Sequence, residues 1–356
     1  MSDPLFQPLQ AGAFIFPNRI IMAPLTRCRA SVGRVPNAMM AEYYAQRASF
    51  GIILSEATAV SPMGVGYPDT PGIWSDEQVE GWKSVTQAVH DAGGTILLQL
   101  WHVGRISDPF YLDGALPVAP SAIAPDGHVS LMRPLKNFVT PRALDLDEIP
   151  GLVEEYRRGA ENAKAAGFDG VEIHGANGYL IDQFLQDSSN QRDDEYGGSV
   201  SNRARFLLEV TDAVVSVWGA DRVGVHLAPR GDAHDVGDSD ASGVFHHAAT
   251  ELGKRNLAFL CARESFDKPA LGPSLKQAFG GVYIGNESFT AETAREAIAS
   301  GKVDAVAFGK AAIANPDLVE RIRSGAPLND PDPATFYGQG PDGYTTYPTL
   351  EMIQAS

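Results

Sequence analysis

The stretch "GFDGVEIHGANGYL" (167–180) sets a short β-branched run, Val171-Glu172-Ile173, directly before a histidine and an asparagine three residues apart. Only glycine and alanine separate His174 from Asn177, and Tyr179 follows two residues later. Small spacers of this kind keep bulk away from whatever meets the polar pair. An apolar run of this length, bounded by glycine, fits a strand buried on both faces, as in a parallel sheet. Its polar pair then sits where the strand gives way to the next element.

Seven further runs share this character: "IIMAPLT" (20–26), "GIILSEAT" (51–58), "TILLQLW" (95–101), "VGVHLAP" (223–229), "LAFLCAR" (257–263), "GVYIGN" (281–286) and "AVAFGK" (305–310). Between them lie stretches with helical spacing. "DEQVEGWKSVTQAVHDAG" (76–93) opens on acids and ends in glycine, as a helix N-terminal turn and C-cap do. Residues 146–167, 202–219, 290–302 and 316–325 behave likewise, with shorter candidates at 40–48, 245–256 and 273–280. Eight strand–helix alternations predict an α/β fold, a TIM (β/α)8 barrel. An open doubly wound sheet is the competing architecture, but no G-x-G-x-x-G follows the first run. Two additions are expected on one domain spanning 1–356: an N-terminal hairpin within 5–19 that plugs the barrel bottom, and a lid-like excursion over 102–145 after the third strand.

Composition narrows the function classes. With 356 residues, 44% of them hydrophobic and 20% charged, the chain is long enough to bury a full core and is not disordered. A net charge of −16 argues against nucleic acid and anionic membranes. The two cysteines, Cys28 and Cys261, make neither a disulfide framework nor a four-thiolate metal site. No apolar run approaches membrane-spanning length, and "MSDPLFQPLQ" has no basic segment leading into an apolar one, so a cytoplasmic protein is expected. The acidic loop 231–243 lacks the spacing of a calcium loop and reads as solvated.

Barrel enzymes place their chemistry at the C-terminal strand ends. Here those ends carry Thr26, then Gln99 and Trp101, His174 and Asn177, His226, Gly285-Asn286 and Gly309-Lys310. The last two pairs match the usual phosphate-binding corner, where glycine-rich turns present backbone N–H groups and Lys310 adds a charge. His174 and Asn177 are placed to aim two donors at one oxygen, as an oxyanion hole does. Tyr179, protonated at working pH, suits a proton donor to a developing carbanion. The motif taken alone is equally compatible with a core histidine and an asparagine that caps the following helix.

With these positions in view, the chain resembles the Old Yellow Enzyme family of flavin-dependent ene-reductases. The bacterial branch of xenobiotic, glycerol trinitrate and N-ethylmaleimide reductases is nearest. The resemblance runs over essentially the whole chain, from "NRIIMAPLTRCRA" and "QLWHVGR" through "GFDGVEIHGANGYLIDQFLQ" and "YGGSVSNRARF" to "FGKAAIANPDL" and "GYTTYPTL". It implies non-covalent FMN, with NADPH or NADH as reductant. Thr26 and Gln99 would bond the flavin's pyrimidine side, with Pro24, Leu25 and Ala57 along the ring and Gly285, Asn286, Gly309 and Lys310 at the phosphate. His174 and Asn177 would hold the substrate oxygen, Tyr179 would protonate carbon, and Trp101 and Tyr337 would shape the pocket. The implied substrates are enones, maleimides, nitroalkenes, nitrate esters and nitroaromatics, handled by a monomer or small homo-oligomer. A flavin-free phosphate-handling barrel, or a flavin-retaining scaffold without turnover, are the alternatives.

Two positions depart from the family pattern. "GVHLAP" carries His226 where the family has an arginine beside the flavin, so a permanent charge becomes a pH-dependent one unless Arg230 reaches in. "AFGK" carries Lys310 where an arginine fork is usual.

Overall fold

All eight apolar runs form strands: β1 (Ile20–Met22), β2 (Ile53–Ala59), β3 (Ile96–Trp101), β4 (Gly170–Gly175), β5 (Val223–Leu227), β6 (Phe259–Arg263), β7 (Tyr283–Asn286) and β8 (Ala305–Phe308). The computed structural model describes residues 3–231, 233–264 and 270–355. In it the strands pair parallel in chain order, and β8 returns to β1 to close the barrel. Every residue of β2, β3, β4 and β5 is buried, which is why these segments read as continuous apolar runs rather than alternating ones.

Each strand is followed by a helix on the outer surface: α1 (Ala38–Ala45), α2 (Asp76–Asp91), α3 (Ile149–Ala165), α4 (Val200–Trp218), α5 (Ala241–Gly253), α6 (Gly272–Phe279), α7 (Ala291–Ala299) and α8 (Leu318–Ser324). α2 shows why these stretches are helical. Ser75 accepts from the Gln78 N–H while the Gln78 side chain accepts from the Ser75 N–H, a capping box worth about 1 kcal/mol. Its buried face, Val79, Trp82, Val85 and Val89, then packs into the layer between helices and barrel. Extra one-turn helices at Leu180–Leu185 and Lys310–Ala314 follow β4 and β8 before α4 and α8 begin.

The barrel bottom is apolar and sealed. Ile21, Ile52, Leu54, Leu97, Phe259 and Ile284 fill the interior and meet Phe14 and Phe16 of an antiparallel hairpin, Leu9–Ala11 with Phe14–Phe16. The expected plug is therefore present. Ile15, between the two phenylalanines, is 72% exposed, so the hairpin alternates as a one-sided strand should. Gly12 has φ +56°, and a Cβ there would lie 2.2 Å from the Asp221 carbonyl oxygen. That carbonyl accepts the Ala13 N–H at 2.8 Å, so only glycine lets the turn dock.

At the other end the chain is less regular. The excursion 102–145 contains a two-residue strand pair, Val118–Ala119 with Arg142–Ala143, a single 3-10 turn and an isolated bridge between His128 and Asn137. Its Leu131 and Phe138 pack against a cluster of Ala57, Tyr67, Trp101, Val103 and Ile106 beside the strand ends. The C-terminal segment is tied down by two buried arginines. Arg27 donates to the carbonyls of Phe336 and Gly343, and Arg29 to those of Thr335, Gly340 and Asp342. Tyr344 stacks on Tyr43 at 4.0 Å between centroids, which fixes the strap that carries Tyr337 to the mouth. Among the described residues no helix is long and apolar enough to cross a membrane.

Candidate active site

A cavity of about 530 Å3 opens at the C-terminal strand ends. Pro24, Leu25 and Thr26 after β1 form one side, and Gly309 and Lys310 after β8 continue it. His174, Asn177 and His226 face them from β4 and β5, with Arg263, Asn286 and Tyr337 around the rim. A second depression of about 430 Å3 lies between α3 and α4, lined by surface groups such as Arg157 and Glu161 that already pair with each other. It is far from the strand ends and offers no comparable convergence of polar groups.

The polar pair of β4 acts as two donors, and its surroundings decide this. His174 is buried, and burial, followed by His226, His234 and Arg263, holds its imidazolium form well below the usual range. The ring is neutral, and its Nδ1 accepts the Ala176 N–H at 3.3 Å, which leaves Nε2 as the protonated donor. Asn177 accepts on Oδ1 from the Arg263 guanidinium at 2.9 Å. A guanidinium only donates, so the free edge of the Asn177 amide is its NH2. Asn177 has φ +60°, a left-handed conformation that asparagine tolerates.

Two glycines of the stretch, the spacer Gly175 and Gly178 beyond Asn177, also lie close to the protein's own backbone. A Cβ on Gly178 would lie 2.3 Å from the Ala233 carbonyl, and one on Gly175 would meet the His226 carbonyl at 3.2 Å. They make room for the protein's own backbone, on β5 and the loop that follows it. The Gly178 N–H also donates to Asp182 at 2.8 Å, which anchors the turn from below.

Tyr179 stands edge-on to Trp101 and His174, with centroid distances of 5.0 and 5.1 Å. Burial, then the neighbouring Tyr67, pushes its phenol well above the usual range, so it stays protonated. Its hydroxyl lies 2.7 Å from that of Tyr67. Ala57, Trp101 and Tyr179 form an adjoining aromatic wall rather than the cavity lining itself.

Below the mouth lies a buried polar layer. Gln99 donates to Glu172 at 2.7 Å, and His226 Nδ1 is 3.7 Å from the same carboxylate. His226 stacks over His174 at 5.9 Å, and its register partner on β6 is Cys261. Glu172, His226 and Cys261 bring their ligand atoms within 4.8 Å of one another. Burial raises the Cys261 thiol well above its ordinary range, which opposes a metal thiolate there. Among the described residues, His226 Nε2 and Glu172 Oε1 have no hydrogen-bond partner, unusual for buried polar atoms. A flat heteroaromatic ring edge with both donors and acceptors, resting on this layer, is what such groups fit.

Of the four residues expected at a phosphate corner, three line the cavity. Asn286 donates to the Ala307 carbonyl at 3.1 Å and lines the cavity, as do Gly309 and Lys310. Lys310 is exposed, and no described carboxylate pairs with it, so its charge is available to an anion. Gly285 does not line the cavity; a Cβ there would strike Val303 and Phe289 at about 3 Å, so its smallness serves packing.

Three side chains that sequence reasoning passed over belong here. Arg263, at the end of β6, lines the cavity and bridges Asn177 to Glu287. Arg230, the candidate substitute for the missing arginine, instead pairs with Glu264 at 2.8 Å and is outside the lining. Tyr67, after β2, contacts Tyr179, and His234, from the supposedly solvated loop 231–243, contacts both Tyr67 and Asn177. Applying the strand-end rule to the sixth run as well would have found Arg263; nothing local marks Tyr67 or His234.

Residues 4–329 match the NADH:flavin oxidoreductase / NADH oxidase family. The chain belongs to that family, and it is an FMN-dependent oxidoreductase that uses a nicotinamide reductant. It is 46% identical over 357 residues to a Leishmania infantum protein named "probable flavin mononucleotide-dependent alkene reductase", covering 98% of both chains. It is 44% identical to 12-oxophytodienoate reductase 1 of Oryza sativa subsp. japonica, covering 98% of this chain and 94% of that one. Among solved structures, the old yellow enzyme homologue from Zymomonas mobilis superposes with a TM-score of 0.95 at 49% identity, over 97% of this chain and 99% of that chain. Morphinone reductase in complex with tetrahydroNAD gives 0.94 at 49% identity, over 97% of each chain.

Proposed function

We propose that this chain reduces the activated C=C bonds of α,β-unsaturated carbonyl and nitro compounds, with nitrate esters and nitroaromatics as further acceptors. When bound, FMN supplies two-electron hydride chemistry that links a nicotinamide to the acceptor. Thr26, Gln99 and His226 would meet its pyrimidine side, Pro24, Leu25 and Ala57 would flank the ring, and Asn286, Gly309 and Lys310 would hold its phosphate corner.

The acceptor's oxygen takes hydrogen bonds from His174 Nε2–H and the Asn177 NH2. As hydride reaches the β carbon, negative charge grows on that oxygen, and donors already aimed at it favour the transition state over the ground state. The Tyr179 proton passes to the α carbon. Trp101 and Tyr337 bound the space for the rest of the molecule, and the excursion 102–145 shields it from water as a lid on a single domain.

One observation carries this reading. His174 and Asn177 each have their acceptor atom engaged by the protein, at Ala176 and Arg263, which leaves two donors beside a protonated phenol. The test is direct: the purified protein should be yellow, bleach with NADPH or NADH, and recover colour with cyclohexenone. A protein that stays colourless after incubation with FMN, or bleaches but is not reoxidised by any enone, maleimide or nitroalkene, refutes it.

A further inference from the structure

If Tyr179 acts as the acid assigned above, it must regain a proton after each turnover. Tyr179 stands in the wall beside the cavity rather than in its lining, packed with Tyr67 and Trp101, so a return path through protein is open to it. The structure provides one. Tyr179 Oη lies 2.7 Å from Tyr67 Oη, which lies 3.3 Å from His234 Nε2 and accepts from Ser130 Oγ at 3.3 Å. His234 Nδ1 is 2.7 Å from the Asn177 carbonyl oxygen. A carbonyl only accepts, so Nδ1 keeps its proton and Nε2, facing Tyr67, is the nitrogen that exchanges. The ring belongs to the loop after β5 and is partly exposed. Arg105 holds this loop by donating to the carbonyls of His234 and Asp235.

We propose that Tyr67 and His234 return a proton from solvent to Tyr179 between turnovers and so limit repeated enone reduction. Three transfers balance with no electron moved. The Tyr179 phenolate takes the Tyr67 hydroxyl proton. Tyr67 then takes the Nε2 proton of a His234 imidazolium, which had received it from water. Nδ1–H stays on the Asn177 carbonyl throughout, so the same imidazole also steadies the oxygen-binding asparagine.

The groups around the ring decide its pH behaviour. Tyr67 and Tyr179 face it from the loops after β2 and β4, Arg105 from the excursion, and Arg263 from β6. The Asp235 carboxylate is turned to the Asp126 N–H instead. Burial, with the two arginines, lowers the imidazolium below the ordinary histidine range, only partly offset by its bond to Asn177. The imidazolium is then the minor form at neutral pH, and the return step quickens as pH falls.

The experiment is steady-state oxidation of NADPH or NADH by the holoenzyme with cyclohexenone as acceptor, where Tyr179 must be reprotonated in every cycle, and, separately, with ferricyanide, which takes electrons without a carbon-bound proton. Tyr179→Phe comes first; if it leaves enone turnover untouched, the assignment of Tyr179 itself falls. Given that control, Tyr67→Phe and His234→Phe should each slow the enone reaction by about tenfold or more and flatten its rise toward acid. Ferricyanide should be affected far less, and added imidazole should restore part of the rate to His234→Ala. In 15N-histidine spectra of the ligand-free protein, Tyr67→Phe should shift the His234 Nε2 resonance and leave Nδ1 protonated. Equal slowing with both oxidants, or wild-type rates and pH profiles in both variants, overturns the proposal.

Discussion

The two ends of the barrel are built from the same eight strands and differ in how their polar atoms are treated. At the bottom, the hairpin brings Phe14 and Phe16 onto Ile21, Leu54, Leu97 and Ile284. There is nothing for a ligand to satisfy. At the mouth His226 Nε2, and just below it Glu172 Oε1, are buried with no partner among the described residues, and His174 and Asn177 keep donors free. Burying an unpaired polar group costs on the order of 1–3 kcal/mol, so the mouth is held in place against its own preference. The apolar bottom supplies the stability that allows it. Folding and chemistry are thus separated along one axis.

That separation makes the two ends respond differently to substitution. The largest expected effect is at the mouth. His174→Ala combined with Asn177→Ala should lower kcat/KM for an enone by about 10³ or more, since one such donor is worth about 10²–10³. The protein should remain folded and yellow, as flavin content and thermal melting would show. Next is Phe16→Ala at the bottom, with an expected loss of about 3–5 kcal/mol in unfolding free energy and unchanged activity per folded molecule. If Phe16→Ala altered the enone rate, or the double substitution unfolded the chain, the two ends would not be independent.

A third prediction probes the join between them. Burial raises the Asp182 carboxyl to about 7, offset only in part by its bonds from Gln186 and the Gly178 N–H. Its folded value lies above the unfolded one, so the folded state binds the proton more tightly. That contribution to stability is complete below the unfolded value and is lost as pH rises through about 7. Burial raises Glu56 to about 7 as well, with the same sign. Burial lowers His102, His174 and His234, which contribute the opposite sign over the same window, so the effect is read as a difference. Measured by chemical denaturation, the stability of wild type relative to Asp182→Asn should fall from mildly acidic to neutral pH, with Glu56 and the histidines contributing equally to both. An identical slope in the variant would refute the assignment.

What could be read from the sequence followed from local physics. The eight strands were visible because burial on both faces demands unbroken apolar runs, and the donor pair because it lies within four residues. The hairpin was visible for the same reason. Long-range contacts were not. His234 reaches the Asn177 carbonyl across 57 positions, from a loop whose acidic composition spoke only of solvent. The glycines around Asn177 were legible as small, but that they clear space for Ala233 and His226 requires β4 and β5 to be side by side. Tyr337 was placed by resemblance alone. The strap that carries it is held by arginine bonds to irregular backbone carbonyls, which impose no sequence pattern.

The smallest predicted effect concerns His226, one of the two positions that differ from the family pattern. His226 lies on the floor of the mouth, and its nearest charged neighbour is the Glu172 carboxylate at 3.7 Å. His226→Arg introduces a permanent charge where a flavin's pyrimidine edge would gain negative charge on reduction, which favours the reduced form. Glu172 opposes that gain, because a guanidinium so close to a carboxylate is drawn into a pair with it. The two tendencies leave a midpoint potential raised on the order of 30 mV, equivalent to about 1.4 kcal/mol for two electrons. Spectroelectrochemistry of both proteins measures it. The additional substitution Glu172→Gln should enlarge the shift by releasing the guanidinium. A potential that stays fixed in His226→Arg and again in the double variant would mean that this floor does not sense the flavin's charge.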